Sequence, residues 1–339
     1  LEGGMIKVEN LNQMLIVLSK KILEEGVRRK TRGYDCIEIP YPVLIEMKNP
    51  CDRYVTIPER KWNKVLGFVE SLWLASGTNH MSLPGSYVKN MYNFSDDGKF
   101  MRAGYGSRIR SFNGVAKDYE CSRPLVGSSC IEDIREVDQL KFVIETLLKD
   151  KNSRQALITI HDPVKDCYTK DGELKITKDQ PCSRSLQFMM VDGKLNLTSY
   201  MRSNDLIWGL SAVNVFNFCF MQEYVAMMLN VPVGKYYHFV NNLHVYDDFL
   251  DLVKTISNYN ENDFKTNECF YYDDKMTFDD FNREVVELFK FEEMTREDKS
   301  ILSYNRKNSF FEDWGKIFLV KNKIKPVFNN PFLYNLFGG

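Results

Sequence analysis

The chain has 339 residues, 44% of them hydrophobic, enough to build a sizeable core in one large α/β (α+β) domain. Its 45 Lys+Arg against 46 Asp+Glu leave a net charge of −1, which excludes an overall field for nucleic acid or membrane, so any bound anion has to be gripped locally. Eight cysteines, at 36, 51, 121, 130, 167, 182, 219 and 269, form no C-x-x-C pair and are too sparse for a disulfide framework; they read as reduced thiols of a cytoplasmic protein.

Residues 1–4 (LEGG) read as a cloning remnant before Met5, and no apolar run approaches a membrane span. Apolar spacing predicts helices over 5–25 and over "WNKVLGFVESLWLAS", the latter with Val65, Leu66, Val69, Leu72 and Trp73 on one side. A third helix is predicted over 134–149, followed by the short strand "ALITI". "SLQFMMV" and "KLNLTSYMRS" read as strands joined by Asp192-Gly193, a two-residue hairpin signal. "NVFNFCFMQEYVAMML" is apolar nearly all round and predicts a helix buried on every side, after which "KYYHFVNNLHVY" returns to strand. "FNREVVELFKFEEM" reads as an amphipathic helix, and the last forty residues mix Asn, Lys and aromatics. With no repeat, linker or boundary, 5–339 reads as a single domain with 258–339 as a divergent C-terminal region.

Cys182, in "DQPCSRSLQF", reads by itself as a small buried apolar residue sooner than as a nucleophile, and its company is what raises the second reading. Downstream, "YMRSNDLIWG" gathers Arg202, Ser203, Asn204 and Asp205 at a strand end, where a core strand has no use for four polar groups; such a cluster suits an anion plus a polar ring. His244 and Tyr246 stand two apart on a strand and face one side, as a cross-strand aromatic pair or as two polar groups that meet one ligand. His80, His161 and His238 lack metal-ligand spacing, and no bound metal is expected.

The order PCS, Gln187, DGKL, MRSND, Gly209, Asn214 and LHVY resembles the pyrimidine-modifying family of thymidylate synthases and deoxycytidylate hydroxymethylases over roughly residues 30–250. The resemblance implies a twisted mixed sheet flanked by helices, with the helix from about 214 to 229 inside, and a homodimer that joins through its sheets. It implies a pyrimidine nucleoside monophosphate and a reduced folate as partners, with 5,10-methylenetetrahydrofolate as one-carbon donor. Neither a membrane nor general nucleic-acid binding is expected. In such a family the Cys182 thiolate adds to pyrimidine C6, and C5 then attacks the methylene. Glu70, in "FVESLWLASG", would relay protons, and Tyr105, in "AGYGSR", would assist proton removal from C5. Asp205 would also act in catalysis; Glu70, Trp73, Asp205 and Gly209 would line the folate cleft.

Arg202 and Ser203 match part of the phosphate site, and Ser183 and Gln187 would line the nucleotide. "NSRQ" supplies Arg154, which would reach into the partner's site, with Gln155 where the family carries a second arginine; Arg32, in "KTRGYD", matches a mobile-loop arginine. His244 and Tyr246 would hold the sugar, and Asn214 would read the base after a loop, "GLSAVN", that is one residue longer than in typical synthases. Asn accompanies uracil in the family and Asp cytosine, yet an amide can flip to suit either base. Ser183 stands where synthases carry a histidine, "VKNMYNFSDDG" lacks their tryptophans, and "NPFLYNLFGG" is unlike their apolar tail. These departures point to hydroxymethylation, in which water captures the exocyclic methylene, with CMP or dCMP ahead of dUMP. The alternatives are thymidylate synthase proper, methylating dUMP, and an inactive nucleotide- or RNA-binding regulator; retention of Cys182, Glu70, Tyr105, Asp205 and Asn214 argues against the last.

Overall fold

Strand β1 (Ile6–Val8) opens the chain and leads into helix α1 (Leu11–Glu25), then strands β2 (Val27–Thr31), β3 (Tyr34–Glu38) and β4 (Val43–Met47). The computed structural model describes residues 4–31, 33–113, 136–169 and 171–337. The stretch 5–25, predicted as one helix, is divided because Ile6–Val8 pairs in parallel with β4, while Asn10 caps α1 by accepting from the Gln13 N–H. Helices α2 (Leu66–Ser76), α3 (Ser82–Tyr87), α4 (Tyr105–Arg110) and α5 (Gln139–Lys149) follow. The predicted helix 134–149 starts only at Gln139, capped by Asp138; residues 134 and 135 lie outside the described residues. Nor does α2 have a single apolar side: every residue from Leu66 to Ala75 is buried.

The remaining elements are β5 (Leu157–Thr159), α6 (Pro163–Asp166), β6 (Ser183–Val191), β7 (Lys194–Met201) and β8 (Asn204–Asp205), then α7 (Val215–Leu229), β9 (Val233–Val240) and β10 (Leu243–Tyr246). Helices α8 (Leu250–Ser257), α9 (Phe278–Glu297), α10 (Ser309–Val320) and α11 (Pro331–Phe337) complete the chain. A mixed sheet of order β1-β4-β9-β7-β6-β5 is flanked by helices, in keeping with the expected architecture. The β6–β7 hairpin turns on Asp192 and Gly193, both at positive φ, as a two-residue hairpin demands. All of α7 except Met227 is buried, and Phe216, Phe218 and Phe220 each contribute about 2 kcal/mol by leaving water.

A second sheet, β2-β3-β10-β8, was not anticipated. The run "KYYHFVNNLHVY" is two strands: β9 joins the large sheet, and after Asn241-Asn242 β10 crosses to the small one, antiparallel to β3 and parallel to β8. The C-terminal residues add aromatics to the same core, with Trp314 of α10 edge-on to Phe220 at 4.7 Å and Phe332 of α11 against Tyr54 at 4.5 Å. Among the described residues no helix is long and apolar enough to cross a membrane, and no group of three or more His, Cys, Asp or Glu could hold a metal ion.

Candidate active site

Cys182 stands one residue before β6 and is half-buried. The backbone N–H groups of Cys182 and Ser183 both donate to the Tyr105 hydroxyl, at 3.1 and 3.0 Å. Two accepted bonds occupy both phenol lone pairs, so the Tyr105 O–H is left to donate elsewhere. Burial, and then the charge of Cys182, hold that phenol above its ordinary pKa and keep it protonated. Arg202 comes alongside because its N–H donates to the Cys182 carbonyl at 2.9 Å, where β7 ends. Its guanidinium donates to the carbonyls of Pro181 (3.0 Å) and Gln180 (2.9 Å), with Nη2 3.6 Å from Cys182 Sγ. Ser183 Oγ is buried and has no hydrogen-bond partner among the described residues.

The segment ahead of this cysteine is bonded to an ion-pair platform. Arg108 of α4 grips both oxygens of Asp166 at 2.8 Å, with both side chains at 0% exposure. Arg102 adds a bond to Asp166 Oδ1 at 3.1 Å and also donates to the Asp179 carbonyl at 2.8 Å, while Gln180 Nε2 donates to the Asp166 carbonyl at 2.8 Å. Residues 179 and 180, ahead of Cys182, are therefore tied to α4 and α6 through Asp166, by its carboxylate by way of Arg102 and by its main-chain carbonyl. Hydrogen bonds and charge from Arg108 outweigh burial and take Asp166 down to about 2.

Helix α4 approaches α2 closely because Gly106 has no side chain; a Cβ there would sit 2.6 Å from the Trp73 carbonyl. On α2, Glu70 is buried and accepts from Asn217 Nδ2 of α7 at 3.1 Å, and burial raises its pKa to about 7, against the lowering effect of that bond. Trp73 Nε1, one turn further on, is buried without a partner among the described residues.

The residues after β8 form a π-helical segment, Leu206–Asn214, that runs directly into α7. The extra residue expected in a loop is thus absorbed as helix. Arg60 and Trp62 hold the widened turn by donating to the carbonyls of Ile207 (2.8 Å) and Ala212 (2.9 Å). Asp205 caps it: Oδ1 accepts from the N–H groups of Ile207 and Trp208, while Oδ2 is buried with no partner among the described residues. Burial raises the Asp205 pKa, and the capping N–H groups and His244 oppose that rise. Gly209 makes room for two amides, since a Cβ there would lie 2.2 Å from Asn204 Oδ1 and 2.9 Å from Asn214 Oδ1. Asn214 ends the π-helical segment, half-buried at the head of α7. β8 pairs with β10, setting His244 opposite Asp205, and Ser203 Oγ lies 3.5 Å from His244 Nδ1.

A family profile described as thymidylate synthase matches residues 13–302. The chain belongs to the thymidylate synthase family. It is 37% identical over 238 residues to the deoxyuridylate hydroxymethyltransferase of Bacillus phage SP01, covering 70% of this chain and 57% of that protein. It is 30% identical over 253 residues to the protein of that name from Pseudomonas phage M6, covering 74% of this chain and 64% of the relative. To the thymidylate synthase of Mycoplasma genitalium it is 23% identical over 248 residues, 70% of this chain and 82% of the other. The chain therefore spans less than two thirds of the length of the two phage relatives.

Not every candidate of this family member falls in the cluster around Cys182. Arg32 lies outside the described residues. Arg154 and Gln155 are exposed beside β5, and Gln187 Nε2 donates to the Arg154 carbonyl at 3.0 Å, which turns Gln187 toward that edge. His244 and Tyr246 do share a side of β10, with ring centroids 5.1 Å apart, edge to face. Sequence reading missed Asn217, whose signal was a lone amide among Phe216, Phe218 and Phe220 in a helix otherwise apolar at its start. It also missed the Arg108–Asp166 pair, whose partners are 58 residues apart with no motif between them.

Proposed function

We propose that the chain catalyses methylenetetrahydrofolate-dependent modification of a pyrimidine nucleoside monophosphate at C5, by hydroxymethylation. The observation that carries this reading is the convergence of Tyr105 and Arg202 on Cys182. Cys182 Sγ is the nucleophile that adds to C6, with the Arg202 guanidinium supplying a cation beside it. Tyr105, kept protonated, can orient through an O–H hydrogen bond the water that takes the C5 proton. Glu70, poised near 7, can hold a proton or release it during the same turnover. The residues suit a reduced folate: Asp205 Oδ2 is a buried acceptor with no protein partner among the described residues, of the kind a pterin N–H requires, and Trp73 offers a flat buried ring. When bound, the folate supplies the one-carbon unit.

Ser183 supports hydroxymethylation over methylation, because a small buried hydroxyl beside the nucleophile leaves space and a polar contact for an attacking water. The phage relatives are named deoxyuridylate hydroxymethyltransferases. That name, with an Asn at the base-reading position, shifts the favoured substrate from CMP or dCMP to dUMP. We place Arg154 in the site of a second copy: it is exposed, next to an outward sheet face bearing Leu157, Met189 and Tyr200. Similarity to a thymidylate synthase keeps reductive methylation as the second reading. The test is product mass after incubation with methylenetetrahydrofolate and each of dUMP, dCMP, UMP and CMP. Gain of CH2O with tetrahydrofolate supports the proposal; gain of CH2 with dihydrofolate means synthase, and no product with any nucleotide sinks both.

A further inference from the structure

The amide inside α7 has no role in the reading above. Asn217 is 4% exposed and sits between Phe216 and Phe218, where an unsatisfied amide would cost about 1–3 kcal/mol. It is satisfied by α2: Ser71 Oγ–H donates to Asn217 Oδ1 at 3.1 Å, and Asn217 Nδ2 donates to Glu70 Oε2 at 3.1 Å. Adjacent residues of one helix thus hold both ends of a single amide from another. With Glu70 ionised only this orientation serves, because the reverse sets the amide carbonyl against a carboxylate oxygen.

We propose that Asn217, held by Ser71, is a positioning residue for Glu70: it engages Oε2 as an acceptor and leaves Oε1 as the oxygen that gains and loses the proton. The inference rests on the proposed role of Glu70 in one-carbon transfer and adds how the carboxyl is aimed and tuned.

Helix α2 packs on α3, α4, α7, α9 and the π-helical segment. Of the titratable and charged groups those elements bring, Tyr87 is bonded to Glu292, Arg108 to Asp166 and Glu223 to Arg53. Arg110 is bonded to Asp138; Tyr105 of α4, Cys219 and Tyr224 of α7, and Asp205 at the cap of the π-helical segment are the others, and α9 adds Asp279, Asp280, Arg283, Glu284, Glu287, Lys290, Glu293, Arg296 and Glu297. None of them shifts Glu70; burial raises it, and the Asn217 bond is the one opposing influence. Removing that donor must therefore drive Glu70 further up.

The experiment is a titration that needs no substrate. Protein carrying 13C at the glutamate side-chain carboxyl is titrated by NMR, the Glu70 signal being identified by its loss in Glu70→Gln. Asn217→Leu keeps the branched shape, at a larger volume, and removes the donor; Glu70 should then titrate about one pH unit higher than in the wild type. Ser71→Ala should give a smaller rise, and Asn217→Ser, which keeps a hydroxyl donor, should recover part of it. The limb of the kcat profile that Glu70→Gln abolishes should move by the same amount, with KM for the nucleotide unchanged. An unmoved Glu70 signal in folded Asn217→Leu overturns the inference, whatever happens to turnover. Should Asn217→Leu fail the circular-dichroism check for folding, Ser71→Ala decides by the same criterion. Should the wild type turn over no nucleotide, the proposed reaction fails while the carboxyl titration still judges Asn217.

Discussion

Two buried carboxylates, Asp166 bonded to the segment ahead of Cys182 and Glu70 on α2, are treated in opposite ways. Asp166 receives four donors from Arg108, Arg102 and the Asp162 N–H, and is lowered to about 2. Glu70 receives one amide and is raised to about 7. Complete ligation makes a carboxylate a fixed anchor, and here it secures residues 179 and 180 ahead of Cys182. Sparse ligation of a buried carboxyl leaves a group that can change charge near neutral pH, as proton transfer requires. Burial alone does not separate the two; the number and charge of the donors do.

The largest effect tests what the anchor presents. Cys182→Ser should lower turnover by at least about 1000-fold with folding intact, since a serine there has no base to activate it. Retained turnover would reduce the platform to ordinary core. Glu70→Gln should lower kcat by about 100- to 10,000-fold and flatten the pH limb near 7, the range expected when one acid–base group is lost. A Glu70→Gln enzyme with an unchanged profile would make Glu70 as structural as Asp166. Asp166→Asn should cost about 3–5 kcal/mol in denaturant unfolding, because Arg108 would be left as an uncompensated buried charge. A loss below 1 kcal/mol would mean that water already shares the pair.

The contrast also marks what a linear sequence can disclose. The hairpin at Asp192-Gly193 and the buried helix α7 were legible because a turn residue pair and an unbroken apolar run are local signals. Cys182, Arg202 and Tyr105 were legible as a pattern, and they do meet. The division of 235–246 between two sheets was not, since β9 and β10 have the same alternation and only long-range pairing parts them. The π-helical segment was read as a longer loop, because its widening depends on Arg60 and Trp62, remote in sequence. Asn217 was hidden by averaging: one amide barely changes the hydrophobicity of a helix, yet it chooses the oxygen that Glu70 offers.

The smallest effect is the most discriminating, because the two carboxylates must push stability in opposite directions with pH. Asp166 is lowered from 3.8 to about 2, so its contribution, about 2 kcal/mol, is present above pH 3.8 and lost as pH falls through 2. Glu70 is raised from 4.5 to about 7, so its favourable state is the protonated one: about 3 kcal/mol is present below pH 4.5 and lost as pH rises through 7. Glutamine at position 70 keeps the neutral form at every pH. The unfolding free energy of Glu70→Gln relative to wild type should therefore climb by about 2–3 kcal/mol between pH 5 and pH 8, measured in urea at each pH. Over the same interval the wild-type advantage over Asp166→Asn should stay constant, since neither state of Asp166 titrates there. A flat difference for Glu70→Gln would mean that the Glu70 carboxyl is reached by water, and the chemical distinction between the two sites would then have to rest on geometry alone.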